Sequence, residues 1–168
     1  MTLAERCRRV TALILDVDGV LSDGGITYTA QAVELKRFHV RDGSALKIWQ
    51  KAGMRLAWLS GRTAQATQIR AAELGVISVV QGGAEKTDGY RKLLGEFNLR
   101  TEQVAYLGDD LPDLPVLQAT GLALAVRDAC PEVRRAAHYI SCTPGGQGAV
   151  REVIELILRC QGRWREGA

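Results

Sequence analysis

The sequence of 168 residues has no long apolar run, no block of like charge and no closely spaced group of cysteines. Crossing a bilayer takes roughly 20 consecutive apolar residues, and the N-terminus lacks the basic-then-apolar order of a signal peptide. We therefore expect a cytoplasmic protein with no membrane partner. The formal net charge is only +3 and the arginines are spread along the chain. This distribution does not indicate nucleic-acid binding, but it is compatible with a binding site for a small anionic molecule.

The four cysteines, Cys7, Cys130, Cys142 and Cys160, lie far apart and lack the spacing of a metal site. In a cytoplasmic chain of this size we expect them to be reduced and mostly buried. The hydrophobic fraction of 46% and the charged fraction of 24% are ordinary for a globular protein. The length predicts one domain over residues 1–168 with a core of its own.

Short apolar segments alternate with amphipathic segments from Val10 onward. This alternation predicts an α/β fold of three layers, in which helices cover both faces of a doubly wound, mostly parallel sheet. The predicted strands cover residues 11–16, 55–60, 77–81, 104–108, 122–126 and 138–141. The predicted helices cover residues 44–52, 64–74, 85–97, 112–119, 131–136 and 149–160.

Two segments depart from this rhythm. Residues 24–40 combine apolar and polar side chains in the pattern of a β-hairpin inserted after the first strand. Neither face of this hairpin is purely apolar, so we expect it to pack against a partner subunit. Residues 143–160 join a glycine-rich loop to a final helix whose apolar stripe is typical of a core-facing helix.

Acidic, hydroxyl and cationic residues follow successive predicted strands. Asp16 and Asp18 follow the first strand, and alternate residues of a strand point to the same side, so we expect both carboxylates to converge there. Any one of the later motifs alone would be typical of a helix cap or a surface charge. Together they share the edge of the sheet where ligands bind in open α/β folds. The later motifs are Ser60 with Arg62, then Lys86, then Asp109, Asp110 and Asp113.

This set of residues suits phosphoryl transfer through an aspartyl-phosphate. A carboxylate nucleophile splits hydrolysis into phosphorylation of the enzyme and attack by water. Two unit like charges at about 4 Å repel by roughly 4 kcal/mol at an effective dielectric of about 20, so a divalent cation is needed. We expect Mg²⁺, held by the carboxylates of Asp16 and Asp109 and the backbone carbonyl of Asp18.

The remaining polar residues have roles in the same scheme. The Asp18 side chain would protonate the leaving alkoxide and then deprotonate the attacking water. Ser60 and Lys86 would hold the phosphoryl oxygens and stabilise the developing charge. Asp110 and Asp113 would orient Lys86 and the waters of the metal.

The order of these motifs resembles the haloacid dehalogenase superfamily of phosphohydrolases. Its signature is an Asp-x-Asp-Gly strand end, a Ser or Thr after the second strand, a Lys, and Gly-Asp-Asp-x-x-Asp; the match covers residues 10–128. The resemblance implies that Asp16 is the nucleophile and Asp18 the general acid and base. It also implies that Ser60 and Lys86 contact phosphate and that Asp109 is the third metal ligand.

Most members of the superfamily carry a cap domain, for which this chain has little room. Only residues 19–59 separate the acidic pair from Ser60, and only residues 87–108 separate Lys86 from Asp109. Residues 16–24, 40–43, 108–111 and 145–152 resemble a capless, homotetrameric branch of the superfamily. That branch hydrolyses the phosphate ester of the eight-carbon keto sugar acid of lipopolysaccharide, and adjacent subunits enclose each active site.

The resemblance also implies a set of sugar contacts, rich in cations that suit a substrate with a carboxylate and a phosphate. These contacts are Asp18, His39, Val40, Arg41, Asp42, Gly43, Lys47, Arg62, Arg70 and Lys86. His39 and Lys47 stand where other members have Asn and Arg. Two alternatives remain open: a phosphatase for a nine-carbon sialic-type acid phosphate, and a non-catalytic domain that binds a partner.

Overall fold

A computed structural model describes residues 1–83 and 85–164. Residue 84 and residues 165–168, which form the end of the predicted domain, lie outside the described residues. The strands are β1 (Ala12–Leu15), β2 (Thr27–Tyr28), β3 (Glu34–Leu35), β4 (Arg55–Ser60), β5 (Ser78–Gln81), β6 (Val104–Gly108), β7 (Leu122–Ala125) and β8 (Tyr139–Ile140). The helices are α1 (Leu3–Arg9), α2 (Val40–Lys51), α3 (Gln65–Leu74), α4 (Lys86–Phe97), α5 (Leu114–Ala119), α6 (Pro131–Ala136) and α7 (Ala149–Cys160).

Six strands form one sheet in the order β5-β4-β1-β6-β7-β8. Every neighbouring pair in this sheet is parallel. The chain builds outward from β1 to β5 on one side and then returns to add β6, β7 and β8 on the other. The predicted doubly wound parallel sheet is confirmed, and ligands bind such sheets at the carboxyl ends of the strands beside the point of reversal.

The sheet is buried on both faces, as its continuous apolar strands predict. All four residues of β1 and all four of β7 have no exposed surface. On α7 the predicted apolar stripe is also fully buried, and burying each such aliphatic side chain contributes about 1.5–3 kcal/mol. Among the described residues, no helix is long and apolar enough to cross a bilayer.

The inserted hairpin is shorter than the sequence predicts. Its antiparallel strands β2 and β3 have two residues each, and the chain from Lys36 to His39 is irregular. Val40, expected at the end of a strand, begins α2 instead, four residues before the predicted start of that helix. Apolar side chains on this segment are exposed in the single chain. They are Ile26, Tyr28, Val33, Leu35 and Val40.

Two further features differ from the sequence predictions. Helix α1 was not predicted, although Thr2 and Glu5 form a capping box at its start, a pattern that sequence can reveal. The expectation of mostly buried thiols is wrong, because only Cys7 is buried and Cys142 is exposed. Burial, and then the neighbouring Cys160, raises the pKa of the Cys7 thiol to about 12, so this thiol stays protonated and inert.

Candidate active site

The four sequence motifs lie at one edge of the sheet. Asp16 directly follows β1, Ser60 is the last residue of β4, Lys86 begins the helix after β5, and Asp109 directly follows β6. Since these four strands are adjacent and parallel, their carboxyl ends converge on a single place. The structure therefore brings together residues that span much of the sequence.

Lys86 joins two buried carboxylates. Its Nζ lies 2.6 Å from Asp16 Oδ1 and 2.6 Å from Asp113 Oδ1, and all three side chains are at least nine-tenths buried. Burial lowers the pKa of Lys86, but the two carboxylates outweigh that effect and raise it, so the ammonium stays charged. Burial, and then the charge of Asp113, raises the pKa of Asp16 to about 6, against the opposing effect of Lys86.

Asp109 adds a third carboxylate to this cluster. Oxygens of Asp16, Asp109 and Asp113 all lie within 4.8 Å of one another. Burial, followed by the charges of the other two aspartates, raises the pKa of Asp109 to about 9. At neutral pH the single ammonium of Lys86 does not keep all three groups ionised, whereas a further cation would favour their ionised forms. The hard oxygen donors of the cluster fit Mg²⁺.

Gly19 lets the loop after β1 approach this cluster closely. Its φ of +94° lies in the region that favours glycine, and a Cβ there would collide with the Asp109 carboxylate. The same loop is covered by residues 145–146, because Gly146 N donates to Val20 O at 2.9 Å and a Cβ at Gly145 would collide with Gly19 O. The glycine-rich segment therefore packs against the acidic loop of its own chain.

Asp113 is saturated by hydrogen bonds. Besides Lys86, its Oδ1 accepts from the Tyr106 hydroxyl, and its Oδ2 accepts from the backbone N–H groups of Asp109 at 3.1 Å and Asp110 at 3.2 Å. This arrangement suits a residue that orients Lys86 and the Asp109 loop. Tyr106 was missed from the sequence, although a tyrosine inside a buried strand needs a partner for its hydroxyl. The Asp110 side chain is exposed, and its backbone makes the contact.

Asp16 and Asp18 face different neighbours, so the argument from strand alternation is wrong. β1 ends at Leu15, and Asp18 lies in a turn in which Val17 O accepts from the N–H of Leu21. Whereas Asp16 contacts Lys86, Asp18 Oδ1 pairs with Lys36 Nζ, and Asp18 Oδ2 lies 3.5 Å from Ser60 Oγ.

Lys36 and Glu34 of the hairpin also reach the site, and no sequence motif predicted their role. The ammonium of Lys36 pairs with Glu34 Oε1 at 2.8 Å as well as with Asp18. The other oxygen of Glu34, Oε2, lies 3.2 Å from Arg62 Nη2. The one sequence signal for Lys36 was its place in the second strand of the predicted hairpin, on the same side as Phe38 and Val40.

The expected sugar contacts fall into separate groups. His39, Asp42, Gly43 and Arg70 line one tightly packed cleft, which also contacts Leu21 of the acidic loop. Arg62 is half-exposed beside Glu34. Val40, Arg41 and Lys47 are exposed and do not line that cleft.

Two of these exposed cations open onto other cavities. Arg41 lines a cavity of about 640 Å³ beside the start of α7, together with Arg151 and Glu155. Lys47 lines a different cavity of about 360 Å³ together with Lys51 and Glu73. Within one chain, therefore, not all of the expected contacts surround one site.

Asp42 has a structural contact that the sequence did not predict. Its Oδ1 accepts a hydrogen bond of 2.8 Å from the backbone N–H of Arg151, in the first turn of α7. Burial raises its pKa, against the effect of that N–H. The carboxylate thus caps α7 through Oδ1, while Oδ2 has no hydrogen-bond partner among the described residues.

A sequence profile of the haloacid dehalogenase-like hydrolases matches residues 56–154. The chain is 44% identical, over 98% of its length and 87% of the relative, to the 3-deoxy-D-manno-octulosonate 8-phosphate phosphatase of Yersinia pestis. It is 42% identical to the enzyme of the same name from Escherichia coli K12, over 96% of this chain and 86% of the relative.

Solved structures of phosphatases with the same name have the same fold as this chain. The crystal structure of the Yersinia pestis phosphatase has a TM-score of 0.94 at 43% identity, covering 96% of this chain and 87% of that one. The phosphatase of Moraxella catarrhalis, in complex with magnesium ion, phosphate ion and KDO, has a TM-score of 0.92 at 37% identity and covers 95% of this chain and 91% of that one. The chain belongs to the haloacid dehalogenase-like hydrolases, in the family of the 3-deoxy-D-manno-octulosonate 8-phosphate phosphatases.

Proposed function

We propose that this chain hydrolyses 3-deoxy-D-manno-octulosonate 8-phosphate to the free keto sugar acid and phosphate, in the synthesis of lipopolysaccharide precursors. The observation that carries the proposal is the cluster of Asp16, Lys86, Asp113 and the partly buried Asp109 at the carboxyl edge of the sheet. Relatives that share 42–44% of the residues over nearly the whole chain bear that activity in their names. The whole chain then acts as one catalytic domain without a cap.

Asp16 is the nucleophile in this proposal. Lys86 holds Asp16 Oδ1, and the carboxylate attacks the phosphorus of the ester while the bond from phosphorus to the sugar oxygen breaks. Asp18, protonated when the ester binds, donates that proton to the departing alkoxide, which leaves as the alcohol. Asp18 then takes a proton from a water that attacks the aspartyl-phosphate. The bond between phosphorus and Asp16 breaks, and phosphate leaves.

The surrounding residues hold the phosphoryl group and the cation. Ser60 and Lys86 donate hydrogen bonds to the phosphoryl oxygens, where charge develops. Asp16 and Asp109 would hold Mg²⁺ with their carboxylates and Asp18 with its backbone carbonyl. When bound, the cation reduces the repulsion between nucleophile and phosphate and stabilises the transferred group. Asp113 and the backbone of Asp110 orient Lys86 and Asp109.

The sugar acid is bound by cations around this cluster. We assign Arg62, Arg70, His39 and Gly43 to the chain's own site. Val40, Arg41, Asp42 and Lys47 complete the proposed set, but Arg41 and Lys47 open onto other cavities. This separation supports a homotetramer in which a neighbouring subunit closes each site, and the exposed apolar side chains of the hairpin support the same assembly. We place the assembly in the cytoplasm.

Phosphate release from a panel of keto sugar acid phosphates tests this function. We expect Mg²⁺-dependent turnover of the eight-carbon 8-phosphate in preference to a nine-carbon 9-phosphate, and loss of turnover with a chelator or in Asp16→Asn. The matched control is Asp88→Asn, which changes an exposed aspartate on α4 whose side chain forms an ion pair with Arg91. Substantial turnover by Asp16→Asn would contradict the mechanism, and equal rates across the panel would contradict the substrate. A monomeric mass in solution would contradict the shared site.

A further inference from the structure

Lys36 is the one lysine of the hairpin, and its side chain is only 1% exposed. A lysine on a short surface hairpin normally extends into water, because its ammonium is strongly hydrated. This ammonium instead turns inward and pairs with Asp18 Oδ1. The hairpin therefore supplies a fixed positive charge to the residue that moves the proton in the proposed reaction.

Asp18 has few other contacts that would fix its carboxylate. Among the described residues, the other side chain that hydrogen-bonds to it is Ser60, whose Oγ lies at a long 3.5 Å. Ser60 Oγ also lies 3.0 Å from the carbonyl of Arg62 and accepts from the Arg62 N–H at 3.1 Å, so its hydrogen-bonding capacity is shared. The ion pair with Lys36 is the stronger of the two contacts, because charged partners bind more tightly than a distant hydroxyl.

Glu34 fixes Lys36 in turn. Its carboxylate stands between two cations, with Oε1 at 2.8 Å from Lys36 Nζ and Oε2 at 3.2 Å from Arg62 Nη2. Hydrogen bonds and charge from Lys36, and to a smaller degree from Arg62, lower the pKa of Glu34, so it remains an anion. The chain of contacts thus runs from Arg62 through Glu34 and Lys36 to Asp18.

We propose that Lys36 is a positioning residue that aims the Asp18 carboxyl group at the leaving oxygen, and that Glu34 holds Lys36 in place while linking it to Arg62. The inference rests on the proposed phosphatase function and adds two residues to it. Its consequence is that the hairpin is part of the catalytic apparatus of its own subunit, in addition to any contact it makes with another.

The test compares two phosphate esters whose leaving groups differ. The alkoxide of the sugar 8-phosphate needs a proton as it departs, whereas p-nitrophenolate is stable enough to leave without one. We expect Lys36→Met to lower kcat/KM for the sugar ester about 10- to 100-fold, as outer-shell partners typically do, and to lower it much less for p-nitrophenyl phosphate. Lys36→Arg should recover part of the loss, and Glu34→Gln should follow Lys36→Met with a smaller effect.

A control and a double-mutant cycle separate this role from a structural one. Arg37→Met is the matched control, since Arg37 is the adjacent exposed cation and pairs with Asp23. It should leave kcat/KM for both esters unchanged. In an Asp18→Asn background, Lys36→Met should change kcat/KM less than about twofold, because residues that act through one another are not additive.

The outcomes distinguish a failure of the proposed role of Lys36 from a failure of the proposed phosphatase function. Equal losses for both esters in Lys36→Met, or full additivity with Asp18→Asn, would overturn the role of Lys36 while leaving the phosphatase intact. If the wild type hydrolyses other alkyl phosphates but not the eight-carbon ester, the substrate assignment fails and the comparison is made with the alkyl ester that is turned over fastest. A wild type that hydrolyses no phosphate ester overturns both proposals.

Discussion

The carboxylate of Asp42, on α2, accepts a hydrogen bond of 2.8 Å from the backbone N–H of Arg151, on α7. The two residues are 109 positions apart in sequence, yet this contact satisfies a donor that the first turn of a helix otherwise leaves unpaired. The residue before α7, Gly148, has no side chain with which to cap it. Asp42 therefore ties the segment of expected sugar contacts to the final helix.

Replacing Asp42 should lower stability according to whether the acceptor remains. Asp42→Ala removes the cap, and we expect the free energy of unfolding to fall by about 1–2 kcal/mol. Asp42→Asn keeps an acceptor oxygen in place and should lose less. Denaturant unfolding of the two variants measures the difference, with Asp88→Asn as a control on an exposed aspartate. Equal stability of the Ala and Asn variants would show that the hydrogen bond does not matter.

Gly19→Ala should weaken magnesium binding more than it weakens the fold. A Cβ at this position would collide with the Asp109 carboxylate, and the φ of +94° is strained for any other residue. We expect the affinity for Mg²⁺ to fall about 10- to 100-fold, as measured by calorimetry or by the Mg²⁺ concentration that gives half-maximal activity.

The control for that substitution is Gly95→Ala, on α4. A Cβ at Gly95 meets no other atom within 4 Å, and alanine favours a helix by about 0.5–1 kcal/mol over glycine. This variant should bind Mg²⁺ like the wild type and unfold at a slightly higher temperature. An unchanged Mg²⁺ affinity in Gly19→Ala would mean that the loop moves aside without disturbing Asp109.

Lys86→Met should destabilise the protein, and Mg²⁺ should restore part of the loss. The substitution leaves the buried carboxylates of Asp16 and Asp113 without their cation, and breaking such a buried pair costs about 3–5 kcal/mol. A bound divalent cation supplies positive charge to the same cluster. Thermal unfolding with chelator and with Mg²⁺ should therefore show a smaller difference from wild type when Mg²⁺ is present. A deficit that is identical in both conditions would argue against a cation in the cluster.

Glu152 should contribute stability that acid removes. Burial raises its pKa, but bonds from the Cys142 N–H, the Thr143 hydroxyl and the Tyr139 hydroxyl, each 2.7 Å long, together lower it. A carboxylate whose pKa is lowered by folding stabilises the protein above its ordinary value of 4.5, and this contribution is lost as the pH falls through the folded-state pKa.

Glu152→Gln is the variant that measures this contribution. It should lower the free energy of unfolding at pH 7, and its difference from wild type should shrink as the pH falls below about 4.5. Urea unfolding across that pH range checks the prediction. Glu102→Gln, at an exposed glutamate, is the control and should follow the wild type. A deficit for Glu152→Gln that does not depend on pH would assign the effect to packing.

Local pattern predicted the architecture and the positions of four motifs. Continuous apolar strands such as residues 104–108 are buried on both faces of a parallel sheet. Such a strand can be predicted from sequence because the apolar character of each residue indicates that it is buried. The placement of Ser60 and Asp109 followed from their position at or just after a strand end. The short hairpin strands were harder to predict, because the segment has no buried face to impose a period of two.

The sequence by itself determined the α/β class, the parallel sheet and the meeting of Asp16, Ser60, Lys86 and Asp109 at one edge, since strand ends of a parallel sheet share an edge. Only the tertiary structure decided which groups touch there. Lys36 reaches Asp18 because the hairpin folds back over the loop, Tyr106 meets Asp113 across the end of β6, and Asp42 caps a helix from the far end of the chain. Such pairings depend on how separate elements pack, and no local period encodes that.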